Sequence, residues 1–261
     1  MPTEYETFQI SPTLPIHNQK DLTILIPCYN EEGSVGPTIE GIIQVFDTEN
    51  MSYEILCINN NSSDRTENVL KQYADRYTSV RYKNTLPIQG FGIAVRHGLQ
   101  DCNSKAVIIV MADGSELPAE VLKFYIKFEE GYDCVFGSRF LGDNAVDGYP
   151  KFKLFLNRFG NNFLALITAS RYSDFTSSFK CYNLEKLNSL GPFISNGFNL
   201  NIEMSLKYYL SGAEFAVVGN SWKERDSGTS KFKLIKECVM FMATSAQILW
   251  KHLITKIKSN N

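Results

Sequence analysis

Between residues 22 and 138, short apolar runs alternate with stretches of helical period. LTILIP (22–27), YEILCIN (53–59), SVRYKN (79–84), AVIIVMA (106–112) and CVFGS (134–138) read as strands, rich in β-branched and aromatic residues and closed by polar turns. Residues 35–47, the stretch SSDRTENVLKQYADRY, GFGIAVRHGLQ and residues 119–129 read as the helices between them. The second of these helices opens with residues that cap a first turn. Strands alternating with helices imply a mostly parallel sheet covered on both faces.

Such a sheet dictates where chemistry can sit. Parallel strands end on one edge, and ligands of α/β sheets bind beyond their carboxyl ends. Three of those ends read PCYNEE, NNNSSDRT and MADGSE. An isolated Asp113 would be an ordinary turn aspartate or helix cap. In company with two other polar strand ends, it becomes a candidate ligand residue.

The second half is less regular. A helical KFKLFLNRFGNNFLALI (151–167) leads to DFTSSFKCYN (174–183), expected to return as a strand. FNLNIEMSLKYYL reads as a helix, EFAVVGNSW as a further strand, and a long helical tail starts near residue 231. Residues 223–261 carry a net charge of +5, with Ile248, Leu249, Leu253, Ile254 and Ile257 at helical spacing. Two readings of that basic amphipathic helix stay open: it lies on an anionic membrane, or it packs on its own domain or a partner subunit. The expected division is a flexible arm over residues 1–21, a catalytic domain over 22–230 and the tail helix over 231–261.

Charge and cysteine usage exclude several classes. A net charge of -2 leaves no basic footprint for nucleic acid. The six cysteines never form a C-x-x-C pair, so zinc-site spacing is absent and a reducing, cytoplasmic compartment is expected. The polar, proline-punctuated first twenty residues do not read as a signal peptide. CVMFMATSAQILW, the longest apolar stretch near the C-terminus, is too short and too polar to span a bilayer.

ILIPCYNEE resembles the opening strand and loop of family 2 inverting glycosyltransferases. CINNNSSDRT resembles that family's second strand end, QGFGIAVRHGL its G-x-G-x-A-x-x-x-G helix, and VMADGSELP its metal-binding turn. Further on, GSRF, NRFGNNFLA, DFTSSFKCY, NLNIEMSLKYYLSG and KERDSGTSKFKL resemble the dolichyl-phosphate mannosyltransferase-like branch, in which a sugar passes from a nucleotide to a polyprenyl phosphate. The resemblance spans residues 22–234. It implies the nucleotide-sugar-binding glycosyltransferase A fold, an α/β architecture with a mostly parallel sheet flanked by helices, followed here by the amphipathic tail. It also implies a GDP- or UDP-linked hexose donor, Mg2+ or Mn2+, a polyprenyl phosphate acceptor and a cytoplasmic protein able to sit peripherally on a membrane. Residue by residue, it puts Pro27, Tyr29 and Glu31 against the base and ribose, and Asn60 against the base. Arg139 and Arg158 match acceptor-phosphate positions, and Arg225 and Lys231 match a loop that closes over the donor phosphates.

The family's metal turn commonly reads D-x-D, whereas this chain has Met111-Ala112-Asp113. Mg2+ is held by one or two carboxylates plus substrate phosphates. Asp113 is therefore expected to anchor the metal, with Ser115 and Glu116 supplying or orienting further ligands. A phosphate monoester, with a second pKa of about 6, is mostly dianionic at neutral pH and needs cations more than a base. Guanidinium groups suit that task. A sugar hydroxyl acceptor, as in polysaccharide assembly, would instead need a base, for which Asp174 and Glu203 are the remaining acids. With a phosphate acceptor these two would orient the sugar or the cations. A third reading, a nucleotide-sugar-binding protein without catalysis, follows from the missing first aspartate. The arginine pair favours the first reading, and Asp113, Arg225 and Lys231 argue against the third.

Overall fold

The computed structural model describes residues 19–85, 87–141, 151–221 and 234–259. Seven strands form one sheet: β1 (Lys20–Cys28), β2 (Tyr53–Asn59), β3 (Val80–Asn84), β4 (Ser104–Ile109), β5 (Cys134–Ser138), β6 (Lys180–Asn183) and β7 (Phe215–Gly219). Their order is β3-β2-β1-β4-β6-β5-β7. β3, β2, β1 and β4 pair in parallel, and so do β5 and β7. β6 runs antiparallel to both β4 and β5. Consequently β5 and β7 point the same way as β4, and the carboxyl ends of six strands share one edge. The chain enters β6 at that same edge.

The helices are α1 (Val35–Phe46), α2 (Thr66–Arg76), α3 (Phe91–Asp101), α4 (Pro118–Phe128), α5 (Lys151–Ile167), α6 (Leu184–Ser189), α7 (Leu200–Leu210) and α8 (Leu234–Ser259). Alternation along β1 sends Leu22, Ile24 and Ile26 into a core shared with α1, α2 and α4, including Ile39, Phe46, Leu70 and Phe124. Leu25 faces the other core with Leu99 of α3, Leu187 of α6 and Tyr208 of α7. A strand buried on both faces is apolar at nearly every position, and the buried polar side chain of β1, Thr23, donates to Glu54 at 2.7 Å.

Three elements differ from the sequence expectation. Only the last four residues of DFTSSFKCYN form a strand, because residues 174–179 lie beyond the last ladder pairs and are held by a turn and by side-chain hydrogen bonds. β4 stops at Ile109, although Val110 still donates to the Leu25 carbonyl at 3.0 Å and Ala112 is buried. The short α6 was not expected; Asn183 caps it, its side chain accepting from the Lys186 N–H at 2.9 Å. The first half of α8 packs on α7: Ile248 is buried in the same core, and the Asn199 amide donates to Thr244 at 2.9 Å. Leu253 and Ile257 further along are exposed. No helix among the described residues is long and apolar enough to cross a membrane.

The glycines of GFGIAVRHG have steric reasons. A methyl on Gly92 would stand 2.3 Å from the Ser195 carbonyl oxygen, and one on Gly90 2.3 Å from the Asn196 carbonyl oxygen, so the 191–199 loop packs against bare backbone at the start of α3. A methyl on Gly98 would stand 2.2 Å from Leu25 Cδ1 and 3.1 Å from Ile58 Cγ1, pressing α3 off the sheet. Gly98→Ala should gain up to about 1 kcal/mol of helix propensity. Leu25 and Ile58 are fully buried and cannot swing into solvent, so overpacking of about 1–3 kcal/mol prevails. Urea denaturation should show a net loss of stability, and a variant as stable as the parent would refute this account.

Candidate functional site

At one end of the carboxyl edge, the loops after β1 and β2 brace one another. Asn30 takes a positive φ of 54°, which asparagine tolerates. Its backbone N–H donates to Ser62 Oγ at 3.0 Å, and its side-chain oxygen accepts from the Ser63 N–H at 2.8 Å. The Glu31 N–H donates to Thr66 Oγ1 at 2.8 Å, and the Arg65 N–H to the Glu32 carboxylate at 2.8 Å. Tyr29 and Glu31 are thereby presented half-buried at the rim, with Ser34 donating to Glu31 Oε2 at 2.7 Å. Pro27 is buried inside β1, opposite Ile58.

Asn60 is also buried, and its amide is fully engaged. The nitrogen donates to Thr85 Oγ1 at 2.6 Å and to the Ile88 carbonyl at 3.3 Å, while the oxygen accepts from the Gly90 N–H at 2.6 Å. In this arrangement Asn60 holds the chain between β3 and α3.

The turn after β4 gathers Asp113, Ser115 and Glu116. Gly114 turns the chain at φ 71°, and Thr38 of α1 donates to the Ala112 carbonyl at 3.1 Å. Asp113 is half-buried and accepts from the Ser115 N–H at 3.1 Å. Glu116 is buried and faces its own turn, accepting from the Met111 N–H at 2.9 Å and Ser115 Oγ at 3.2 Å. Burial, and then the nearby Asp113 charge, push its carboxyl up to about 7. The hard oxygen donors suit Mg2+ or Mn2+. Among the described residues there is no cluster of three or more acidic, histidine or cysteine ligands, so a metal held here would need substrate phosphates among its ligands.

The opposite end of the edge carries the arginine pair. Asp174 has no exposed surface and accepts from the Arg139 backbone N–H at 3.0 Å, from Nε at 3.0 Å and from a terminal guanidinium nitrogen at 2.6 Å. The same guanidinium donates to Thr176 Oγ1 at 3.1 Å. Asn157 and Asn161, one turn apart on α5, donate to that hydroxyl at 3.1 and 2.9 Å. Arg158 lies over the Phe140 ring at 4.5 Å, and Arg139 approaches the same ring at 5.4 Å. Among the described residues, none forms an ion pair or hydrogen bond with the Arg158 guanidinium.

Beneath this cluster lies Lys180, completely buried at the start of β6. Its amine donates to the Ser177 carbonyl and, at 3.4 Å, to the Phe175 carbonyl. Burial pulls it down to about 7, against the Asp174 charge that favours the ammonium form. A neutral amine still has two N–H groups, enough for both carbonyls. Lys180 thus anchors the loop that presents Asp174 and Thr176.

Glu203 stands apart, on α7 beneath the 191–199 loop. Its carboxylate accepts from the Ile194 N–H at 3.1 Å and the Ser195 N–H at 2.8 Å, and pairs with Lys207 at 3.0 Å. Arg96 of α3 steadies the same loop through the Phe193 carbonyl and the Asn196 side chain. The structure therefore groups Arg139, Arg158 and Asp174, groups Asp113, Ser115 and Glu116, and leaves Glu203 outside both. Arg225 and Lys231 lie outside the described residues. Phe140, Thr176, Asn157, Asn161 and Lys180 were not singled out from sequence. The i, i+4 spacing of the two asparagines was the one available signal.

The profile of the family described as Glycosyl transferase family 2 matches residues 23–191. The uncharacterized glycosyltransferase sll0501 of Synechocystis sp. is 34% identical over 122 residues, which is 46% of this chain and 37% of the relative. The putative glycosyltransferase CsbB of Bacillus subtilis is 28% identical over 222 residues, 81% of this chain and 61% of the relative. The chain thus spans roughly a third to three fifths of the length of these curated relatives. Among solved structures, glucosyl-3-phosphoglycerate synthase from Mycobacterium tuberculosis, in complex with Mn2+, uridine diphosphate and phosphoglyceric acid, superposes with a TM-score of 0.65 at 16% identity, over 89% of this chain and 78% of that one. The synthase complex with Mg2+ and uridine diphosphate gives 0.62 at 15% identity, over 86% and 78%. At such identities the likeness establishes the fold, the glycosyltransferase A type of α/β architecture expected from the sequence.

Two stability measurements check the geometry. Asp174→Ala removes the buried carboxylate that pairs with the Arg139 guanidinium and should cost about 3–5 kcal/mol. Arg158→Ala removes a half-exposed stacking contact and should cost about 1 kcal/mol or less; equal costs in chemical denaturation would contradict the arrangement. The second measurement follows stability against pH. An unfolded lysine keeps its proton to about 10.5 while folded Lys180 releases it near 7, so between these values the unfolded chain binds more protons and stability rises with pH. The slope from this residue is at most about 1.4 kcal/mol per pH unit. Relative to Lys180→Met, the parent should gain stability from pH 7 to 9, and a constant difference across that range would exclude a depressed Lys180.

Proposed function

The chain belongs to glycosyl transferase family 2, and on that premise we propose that it transfers a hexose, with inversion, from a GDP- or UDP-linked donor to a polyprenyl phosphate. One observation supports this acceptor above the others: both candidate bases are already engaged. Asp174 is chelated by Arg139, and Glu203 is held by two backbone N–H groups and Lys207. A hydroxyl acceptor needs a base to take its proton. A phosphate acceptor arrives as an anion and needs cations, which Arg139 and Arg158 offer side by side against Phe140.

In this reading Asp174 is a positioning residue that aims Arg139, and Arg158 is the more available phosphate ligand. Tyr29 and Glu31 at the rim receive the nucleoside, with Pro27 and Asn60 shaping the floor behind them. Asp113, with Ser115 and Glu116, would hold Mg2+ or Mn2+, which when bound offsets charge on the departing diphosphate. The solved relatives named with uridine diphosphate and Mn2+ or Mg2+ support a divalent ion and favour a uridine donor. Arg225 and Lys231 are assigned to the donor phosphates on the family resemblance. Residues 22–230 would form the catalytic unit and 231–261 the basic tail, with the protein acting at the cytoplasmic face of a membrane.

The deciding experiment incubates the purified chain with a panel of nucleotide sugars and three acceptors: a polyprenyl phosphate, a free sugar and phosphoglyceric acid. Mass analysis should find the glycosyl-phosphoprenyl product. Product on the free sugar or phosphoglyceric acid alone would overturn the reading. Arg158→Ala should slow transfer roughly tenfold to a hundredfold, the worth of a charge-assisted phosphate contact, with donor affinity unchanged. Arg158→Lys should restore only part of that loss. Asp113→Asn should abolish transfer and its response to added Mg2+; a variant that stays fully active would remove Asp113 from the metal's ligands.

A further inference from the structure

Helix α5 shows solvent an apolar face. Its inward side mixes polar and apolar residues, with Asn161 fully buried and Asn157 half-buried beside the buried Leu164. Its outward side carries Phe152, Phe155, Phe159, Phe163 and Leu166, all between 54 and 78% exposed. Their spacing of three and four residues makes one continuous stripe along the helix, and the rings of Phe155 and Phe159 stack at 6.4 Å. Single exposed apolar residues need no explanation, but a contiguous aromatic stripe marks a surface that something covers.

Charge identifies the occupant. Residues 151–173 include Lys151, Lys153, Arg158 and Arg171 and no acidic residue at all. Two copies meeting through this face would bring like charges together. An aromatic stripe on a segment whose only charged residues are cations instead suits the interface of an anionic bilayer. Since α5 is too short and too polar to cross a membrane, the contact is one of lying in the interface. The stripe is also on the helix that supplies Arg158, Asn157 and Asn161 to the acceptor cluster.

We propose that the outward face of α5 is a docking surface for an anionic lipid bilayer, bringing the Arg139–Arg158 cluster down to a phosphate at the membrane surface. The consequence for transfer rests on the polyprenyl phosphate reading; the docking itself does not. It differs from a tail-only attachment in placing the contact at the acceptor cluster.

The test uses the full chain with vesicles of phosphatidylcholine alone or mixed with phosphatidylglycerol. The parent should co-sediment with the anionic vesicles, and F155S/F159S should bind at least about tenfold more weakly, since each buried phenylalanine contributes on the order of tenfold. A second reporter is F159W, whose fluorescence should be quenched by brominated lipid beyond the quenching of the two native tryptophans. With long-chain polyprenyl phosphate in vesicles, F155S/F159S should transfer at least about tenfold more slowly. With a short, water-soluble prenyl phosphate it should match the parent. Vesicle binding unchanged by F155S/F159S, or no added quenching of F159W, would overturn the proposal. So would a dimer in sedimentation equilibrium that the same double substitution dissolves, because the face would then belong to a second copy. If vesicle binding depends on the stripe but no prenyl phosphate is glycosylated, the docking surface stands and the acceptor reading falls.

Discussion

Asp174 has no contact with solvent, so its charge must be matched inside the protein, and Arg139 matches it through both backbone and guanidinium. That pair ties the end of β5 to the loop before β6. Thr176 extends the tie to α5, and Lys180 fixes the loop from below. An unpaired carboxylate or guanidinium at this depth would cost several kcal/mol, so the cluster forms as a unit or not at all. The antiparallel insertion of β6 between β4 and β5 is what makes it possible, because it starts that strand at the edge where the parallel strands finish.

The donor side is built differently. Neutral hydrogen bonds brace the loops after β1 and β2, and Asn60 fixes the next loop and the start of α3. Here rigidity comes from many modest contacts, each worth about 1 kcal/mol, rather than from one buried pair. Between the two sides stands the Asp113 turn, whose second carboxylate, Glu116, faces inward and is partly neutralised by its own burial. The three groups of residues share one edge because six strands point toward it.

Much of this was legible in the residues. The apolar runs placed β1, β2, β4 and β5, since a strand covered on both faces admits no polar alternation; β3, at the sheet edge, is largely exposed. The glycine pattern of α3 carried the family resemblance, and its steric reason, contact with Ser195 and Leu25, belongs to the fold. The motif GSRF pointed to Arg139, and NRFGNN to Arg158. What stayed hidden were the partners. Phe140 lay inside a quoted motif, yet its ring acquires meaning only when Arg158, eighteen positions on, folds over it. Nothing in the pattern of residues marks Lys180, whose role comes from its complete burial. For the tail, helical spacing left two packings open, and Ile248 proved to be buried against its own domain while Leu253 and Ile257 are not.

By itself, the sequence determined the period of each element, the edge on which the polar strand ends gather and the family to which the chain belongs. These follow from local rules: side-chain alternation, capping and the order of motifs along one chain. The tertiary structure decided which charges are matched and which remain available. It matched Asp174 to Arg139, held Glu203 against the 191–199 loop, set Arg158 over Phe140 and turned the phenylalanines of α5 outward. The reason is that pairing and burial depend on distances between residues far apart in the chain, and a helical period fixes which residues share a face without fixing which face looks inward.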